Sequence, residues 1–420
     1  MLYSYITTFI ISIYIFYNYN LFKCPNSTCP YHVINIACGI RSMLKNRRFL
    51  TYLIRSKEME KNVYEKYFEN KGVMITGGLG FIGSNLACKL VELKPKKIII
   101  VDSLIQGQGG NINNVRNILD KIEIPNKENN GIDINNKEKI LELLEDIDCI
   151  FNLAGSVSHI DSKKKPLEDL KLNLESHVAF LEACREFLQK NPDKKMKIVF
   201  TNTRDIYGKI KEEFLPVKEN LLVEEMSDPQ GIHNYSAEFY HLWYTKNFNI
   251  QGCSLRLTNT YGPRQRIDKP EQGFLGYFIY KALKNETIEL WGKGEVLRDF
   301  NYVDDVVDAL LMSMASPYSN GKIYNLGCFI RKNAKYQEIG NNIVSVGDAA
   351  RLVVKVALSG KLIEIPYPED KQSIEPGHVY LDATKLYKEI GWEPRTNFED
   401  GIKKTIMFYR ENKDYWNNEN

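Results

Sequence analysis

Residues 72 to 102 constrain the fold more than any other stretch of the chain. Gly72-Val-Met-Ile-Thr76 is a short apolar run, Gly77-Gly-Leu-Gly80-Phe-Ile-Gly83 is a glycine-rich turn, and Ile98-Ile-Ile-Val101-Asp102 is a second apolar run that ends in an acid. A strand that enters such a turn and a helix that leaves it give each glycine a separate job. Gly77 permits the tight turn, Gly80 lets the backbone approach a pyrophosphate, and Gly83 lets the helix pack close to the strand. Phe81 and Ile82 open that helix, whose N-terminus turns free N–H groups and a positive dipole end toward the pyrophosphate. Asp102 stands 19 residues beyond Gly83. An acid there reaches a ribose diol and repels a 2′-phosphate, so NAD is favoured over NADP.

The rest of the composition narrows the class. The chain has 420 residues, 43% of them hydrophobic, which is enough for one large or two small domains. A net charge of +3 and the lack of a basic stripe with interleaved aromatics exclude nucleic acid as a partner. None of the eight cysteines forms a CxxC pair, and no metal site or disulfide framework is expected.

The N-terminus differs in kind. Residues 1–57 hold seven Lys/Arg and no Asp or Glu, and Met1 to Tyr17 are almost wholly apolar and aromatic. An apolar start followed by a basic, acid-free stretch reads as a signal-plus-transit leader to a plastid-type organelle. The alternatives are a secretory membrane anchor, on which membrane contact depends, and a cytoplasmic protein with a misassigned start.

Beyond a 58–71 linker, strands and helices alternate. Strands are expected at Val73–Thr76, Lys97–Val101, Ile132–Ile134, Cys149–Leu153, Met196–Thr201 and Cys253–Leu257. Helices are expected at Phe81–Leu93, Lys137–Leu144, Leu167–Leu188 and Tyr235–Asn247. Repeated strand–helix units predict an α/β fold, a Rossmann-type doubly wound parallel sheet, with a smaller C-terminal α/β substrate domain. The expected boundaries are 72–262 with 298–327 for the NAD-binding domain, 263–297 with 328–412 for the substrate domain, and 413–420 for a tail. Residues 331 to 342 read as a polar inserted loop.

Several motifs then resemble one family. Thr76 to Gly83, Asn152-Leu-Ala-Gly155, Thr203-Arg-Asp-Ile-Tyr-Gly208, Arg256-Leu-Thr-Asn259-Thr-Tyr-Gly-Pro-Arg264, Arg298-Asp-Phe-Asn-Tyr-Val-Asp304 and Gly391-Trp-Glu-Pro394 resemble signatures of the extended short-chain dehydrogenase/reductases. Within them, the NAD-dependent nucleotide-sugar epimerases and dehydratases are the match, and the 155–162 and 255–264 runs look UDP-glucose 4-epimerase-like. The resemblance implies bound NAD, a UDP-sugar substrate, transient hydride transfer and a homodimer. It places Asp133 and Ile134 at the adenine and Leu153, Ala154 and Gly155 beside the cofactor. Asn173 falls near the active site, and Ser158, His159, Asn259, Arg264 and Arg298 fall on the substrate side. Arg298 suits a diphosphate because its planar fork binds two oxygens at once.

The same resemblance exposes a departure. The family removes the sugar hydroxyl proton with a tyrosine, helped by a lysine four residues later and a Ser or Thr on the fifth strand. Thr203 fills the last position. Anchored on Glu238, the tyrosine and lysine positions hold Gln230 and Asn234. Glutamine does not titrate, and asparagine carries no charge to lower a neighbour's pKa. Candidate substitutes are Asp205, His233 and His159. Three readings stay open: an active enzyme using these substitutes, a protein that binds NAD and nucleotide sugar with little turnover, and a scaffold in which only fold and dimerisation matter.

Overall fold

A computed structural model describes residues 66–105, 107–128, 131–331, 342–367 and 377–416. The expected leader, most of the linker and the core of the 331–342 loop lie outside these residues. The central sheet is parallel and six-stranded, in the order β2-β1-β3-β4-β5-β9. Its strands are β1 (Gly72–Thr76), β2 (Lys97–Val101), β3 (Cys149–Asn152), β4 (Met196–Thr203), β5 (Ile250–Leu257) and β9 (Lys322–Leu326). A sheet buried on both faces reads as continuous apolar runs, which is why Val73-Met-Ile75 and Ile98-Ile-Ile-Val101 mark strands without alternation.

Helices cover both faces. On one, α1 (Phe81–Leu93) and α8 (Val303–Ala315) bury Leu86, Leu90, Leu310 and Met314 against Ile75, Phe151 and Leu255. On the other, α2 (Lys137–Leu143) and α5 (Ser176–Lys190) bury Ile140, Phe180, Leu181 and Cys184 against Met74, Ile99 and Ile150. Each such side chain contributes about 1.5–3 kcal/mol of transfer free energy. The chain reverses strand order between β2 and β3, on either side of β1. That crevice at the carboxyl ends of β1 and β3 is where open α/β sheets bind ligands.

Two smaller sheets stand at the C-terminal side. β6 (Asn259–Tyr261), β8 (Leu297–Tyr302) and β10 (Ile343–Ser345) form one, and β7 (Thr287–Trp291) with β11 (Lys361–Ile365) forms the other. They pack with α7 (Phe274–Leu283), α9 (Val346–Ala357) and α11 (Phe398–Glu411) around Phe300, Tyr302, Val353 and Ile402. Lys413–Tyr415, expected as a tail, is an ordered 3₁₀ turn. Among the described residues no helix is long and apolar enough to cross a membrane.

Three expected elements differ. Ile132–Ile134 is not a strand; it is a loop whose Ile132 N–H donates to the Asp102 carbonyl at 2.8 Å. The expected 167–188 helix is broken into α4 (Pro166–Leu170), a π-helical turn (Lys171–Glu175) and α5. The helix expected from Tyr235 is α6 (Pro229–Asn247), starting six residues earlier. Asp228 caps it by accepting from the Gly231 N–H at 2.9 Å, and Pro229 fills its first turn.

α6 is fixed to the sheet by a buried ion pair. Glu238 accepts from Arg256 Nη2 at 2.5 Å, from Ser254 Oγ at 2.7 Å and from Asn202 Nδ2 at 3.1 Å. Arg256 also donates to the Tyr207 hydroxyl at 2.6 Å. Removing one partner strands the other charge in the core. Glu238→Gln should therefore lower unfolding free energy in urea by about 3–5 kcal/mol; a loss under about 1 kcal/mol would show that the pair does not fix α6.

Candidate active site

A cavity of about 580 Å³ runs along the carboxyl ends of β1, β3 and β4. At one end lie Gly77, Gly80, Phe81, Ile82, Gly83, Asp102, Asp133 and Ile134. Leu153, Ala154, Gly155, Asn173, Thr203, Asp205, Gln230, Asn234 and His159 line the middle. Asn259, Gln265, Arg266, Phe274 and Phe300 close the far side.

The glycine turn is shaped by backbone approach. Gly77 has φ 65°. A Cβ on Gly83 would lie 2.4 Å from the Gly77 carbonyl oxygen, so only glycine lets α1 start there. The N–H groups of the first turn of α1 have no intrahelical acceptor. Asp102 accepts from the Leu79 N–H and from the Leu104 N–H, each at 3.0 Å. Its carboxylate thus ties β2 to the turn while lining the cavity. These features fit a dinucleotide: an N-terminal anion cradle, an acid beside it, and no Cβ in the way at Gly80.

A second layer holds the turn, and sequence reasoning missed it. The Asn-rich stretch contains a 3₁₀ segment, Ile112–Lys121. Asn111 N–H and Asn114 Nδ2 both donate to the Leu79 carbonyl, at 3.0 and 2.8 Å. Arg116 of that segment pairs with Asp414 and donates to Asn412 Oδ1 at 3.0 Å, and the Tyr415 hydroxyl donates to the Asn113 carbonyl at 3.0 Å. No short-range signal in the sequence links this stretch to residues 412–415.

At the middle, Asn173 closes the π turn onto the β3 loop. Its Oδ1 accepts from the Ser156 N–H at 2.8 Å, and its Nδ2 donates to Asp169 Oδ1 at 2.9 Å. Gln230 Nε2 donates to the Ser156 carbonyl at 2.6 Å, and its Oε1 has no partner. Asn234, one turn on, donates to the Gln230 carbonyl at 3.0 Å. Among the described residues, no tyrosine or lysine side chain lines this cavity.

The charged centre lies at the carboxyl end of β4. Thr203 Oγ1 donates to Asp205 Oδ2 at 2.5 Å. His159 Nε2 lies 3.3 Å from the same oxygen, and its Nδ1 lies 2.8 Å from Asp228 Oδ2. Burial pulls the imidazole pKa down, but the Asp205 and Asp228 carboxylates outweigh it and push it up to about 10. Burial raises the Asp205 carboxyl, yet the Arg204 and His159 charges hold it well below the usual carboxylate range. At neutral pH the centre is an imidazolium between two carboxylates.

Four expected site residues do not line the cavity. Ser158 is buried and caps α3 (His159–Lys164), accepting from the Asp161 N–H at 3.1 Å. His233 Nδ1 sits 2.7 Å from Asp169 Oδ2, outside the lining. Arg264 has φ 68°, which turns it toward α1; it donates to Asn85 Oδ1 at 2.7 Å and to the Asn114 carbonyl at 3.0 Å. Arg298 donates to the Leu297 carbonyl at 2.9 Å and to the Gly377 carbonyl at 2.5 Å, drawn to the segment beside β8. Asn259 does line the cavity, with Nδ2 donating to the Asp299 carbonyl at 3.0 Å. Asp228, Arg204, Gln265 and Arg266 were not anticipated. Asp228-Pro229 was legible as a helix start, but nothing in the sequence pairs it with His159.

Residues 73–327 match the model of the NAD dependent epimerase/dehydratase family. The chain belongs to this family. It is 30% identical, over 341 residues, to a putative UDP-glucose 4-epimerase of Methanocaldococcus jannaschii, covering 81% of this chain and 99% of that one. It is 29% identical to a UDP-N-acetyl-alpha-D-glucosaminuronate decarboxylase of Bacillus cytotoxicus, covering 81% and 98%. The crystal structure of a Thermotoga maritima UDP-glucose 4-epimerase with UDP-glucose superposes with a TM-score of 0.68 at 26% identity, over 81% of this chain and 99% of that one. The family is NAD-dependent, and the glycine turn, Asp102 and Asp133 are the groups that would hold NAD here.

The two layers behind the turn make separate predictions for NAD affinity, read by calorimetric titration. Asp102→Ala should weaken NAD at least about tenfold, or 1.4 kcal/mol. Asn114→Ala should weaken it about threefold by freeing the Leu79 carbonyl. Unchanged affinity in both would show that the turn does not hold the cofactor.

Proposed function

We propose that the protein interconverts or dehydrates a UDP-sugar in the manner of a UDP-glucose 4-epimerase, with the Thr203–Asp205–His159 relay replacing the usual tyrosine and lysine. The observation that carries this reading is the Asp205 oxygen shared between Thr203 Oγ1 and His159 Nε2, inside the same cavity as the glycine turn. NAD, when bound, supplies a hydride acceptor next to the sugar carbon. The chain's own residues handle the proton and the position. Thr203 Oγ1 accepts a hydrogen bond from the reacting sugar hydroxyl. Its own hydrogen points to Asp205, so a proton leaving the sugar passes along Thr203 to the carboxylate and its imidazole partner. Gln230 Oε1 and Gln265 Oε1 are buried acceptors without partners in the cavity walls.

The electrostatics limit this relay. A general base must be deprotonated at the working pH. His159 stays protonated up to about pH 10. Only molecules with neutral His159 can take up the sugar proton. A binding protein with little turnover is the second reading, and the observation favouring it is Gln230 and Asn234 on the cavity face of α6.

A homodimer is part of the proposal. Ile232, Phe239 and Trp243 lie exposed along one side of α6, and Leu167 is exposed on α4. This spacing is an apolar stripe of the kind that packs helix on helix. The acid-free leader supports import into a plastid-type organelle as the setting.

The test is conversion of UDP-galactose to UDP-glucose by the NAD-loaded full-length chain, with product analysis across pH 7 to 10. Turnover should rise about tenfold per pH unit as His159 loses its proton, and His159→Ala should remove that rise. A pH-independent rate would overturn the relay. Saturable NAD and UDP-sugar binding with no turnover at any pH would leave the second reading. No saturable NAD binding would sink both.

A further inference from the structure

We propose that Arg204 selects a nucleotide sugar whose hexose carries a carboxylate at C6, of the UDP-glucuronate class. The inference rests on the reading that this cavity binds a UDP-sugar with its reacting hydroxyl at Thr203. Arg204 follows Thr203 directly at the carboxyl end of β4 and lines the cavity. Its side chain is only 17% exposed. A guanidinium has five donors in a planar fork. The contact described for this one is Asp205 Oδ1 at 3.5 Å, well beyond the roughly 2.7–2.9 Å of a charge-assisted bond.

Of the neighbouring acids, Asp205 shares its Oδ2 with other groups, and Asp299 Oδ1 is buried without a hydrogen-bond partner. Asp205 Oδ2 is taken by Thr203 and His159. Asp299 feels the Arg204 charge but accepts its hydrogen bond from the Leu381 N–H at 3.0 Å, and burial pushes its carboxyl up to about 7. The other cations of the region are matched. His159 lies between two carboxylates, and Arg266 holds Asp268 at 3.0 Å. Arg264 and Arg298 are turned away from the cavity. Among the described lining residues, Arg204 is thus the cation with the fewest described contacts.

The chemistry of a pyranose says which anion meets it. With the C4 hydroxyl at Thr203, the flanking substituents are the C3 hydroxyl and the C6 group on C5. The diphosphate hangs from C1, across the ring. A residue one position from Thr203 therefore meets one of these two before it meets phosphate, and of the two only C6 can carry a carboxylate. A hydroxymethyl group there uses one donor at most, whereas a carboxylate engages the fork with two oxygens. UDP-glucuronate satisfies the fork.

The experiment titrates UDP, UDP-glucose and UDP-glucuronate against the NAD-loaded full-length chain. UDP-glucuronate should bind about tenfold more tightly than UDP-glucose. Arg204→Gln should bring the two sugars within about threefold of each other without changing UDP affinity, and Arg204→Lys should keep part of the preference. NAD titration of each variant confirms that the site is folded. Equal affinity for the two sugars in the native protein overturns the proposal. Weakening of UDP itself in Arg204→Gln also overturns it, assigning the guanidinium to the diphosphate. Failure of UDP and of both sugars to bind at all would instead bring down the underlying UDP-sugar reading, a result distinguishable from lost preference.

Discussion

The approach of α1 to the end of β1 is the constraint on which the rest depends. The Gly77 carbonyl lies where a Cβ of residue 83 would be, at 2.4 Å. With glycine there, α1 begins over the turn and its free N–H groups face the cavity. Everything around this contact serves to hold it. Asp102 fixes Leu79 from the β2 side through its N–H, and Asn111 and Asn114 fix it from the 3₁₀ segment through its carbonyl. Behind that segment stands the end of the chain, through Arg116, Asp414 and Tyr415. Exposed ion pairs of this kind contribute up to about 1 kcal/mol each. Their value here is geometric: they fix a segment that touches the turn.

The second organising feature is a separation of charge. Apart from the Glu238–Arg256 pair that anchors α6, the polar groups beneath the turn are neutral. His177 and His241 flank Asn152, and burial alone pulls the His177 imidazole down to about 4. Asn152 in turn accepts from Thr76 Oγ1 at 2.6 Å, joining β1 to β3 beneath the turn. A second charged group lies at the rim, where Asp205, His159 and Arg204 border the cavity and Asp228 backs His159. Buried histidines without a carboxylate stay neutral and structural, while the histidine between two carboxylates stays charged. The same residue type does two jobs, decided by its neighbours.

That distinction explains what the sequence made legible. β1, α1 and β2 were readable because short-range pattern and glycine spacing determine them. So were Asp102, Asp133, Asn173, Gln230 and Asn234 as cavity residues, since each sits at a strand or helix position whose face the fold fixes. Arg264 and Arg298 were misplaced because a motif gives a residue's position and not its direction. A left-handed backbone at Arg264 and the neighbouring 377–379 segment at Arg298 turn the two guanidiniums aside. Contacts across large separations in sequence, such as His159 with Asp228 or Arg116 with Asp414, carry no local signature.

The loss of the tyrosine–lysine pair is confined to chemistry. Gln230 and Asn234 sit in the first two turns of α6, where Asp228 and Pro229 already specify the helix start. Glu238 and Arg256 then anchor that helix to β4 and β5 regardless of what residues 230 and 234 are. Gln230 adds a hydrogen bond to Ser156, so the substitution ties the helix to the β3 loop. The scaffold can therefore hold its cofactor and substrate walls while the proton-handling groups change. The glycine turn and the Thr203–Asp205–His159 cluster reside in different elements, the first in α1, β2 and the 3₁₀ segment, the second in β4 and the loops carrying His159 and Asp228. A fold built this way permits residues 230 and 234 to change without disturbing the glycine turn at the other end of the cavity.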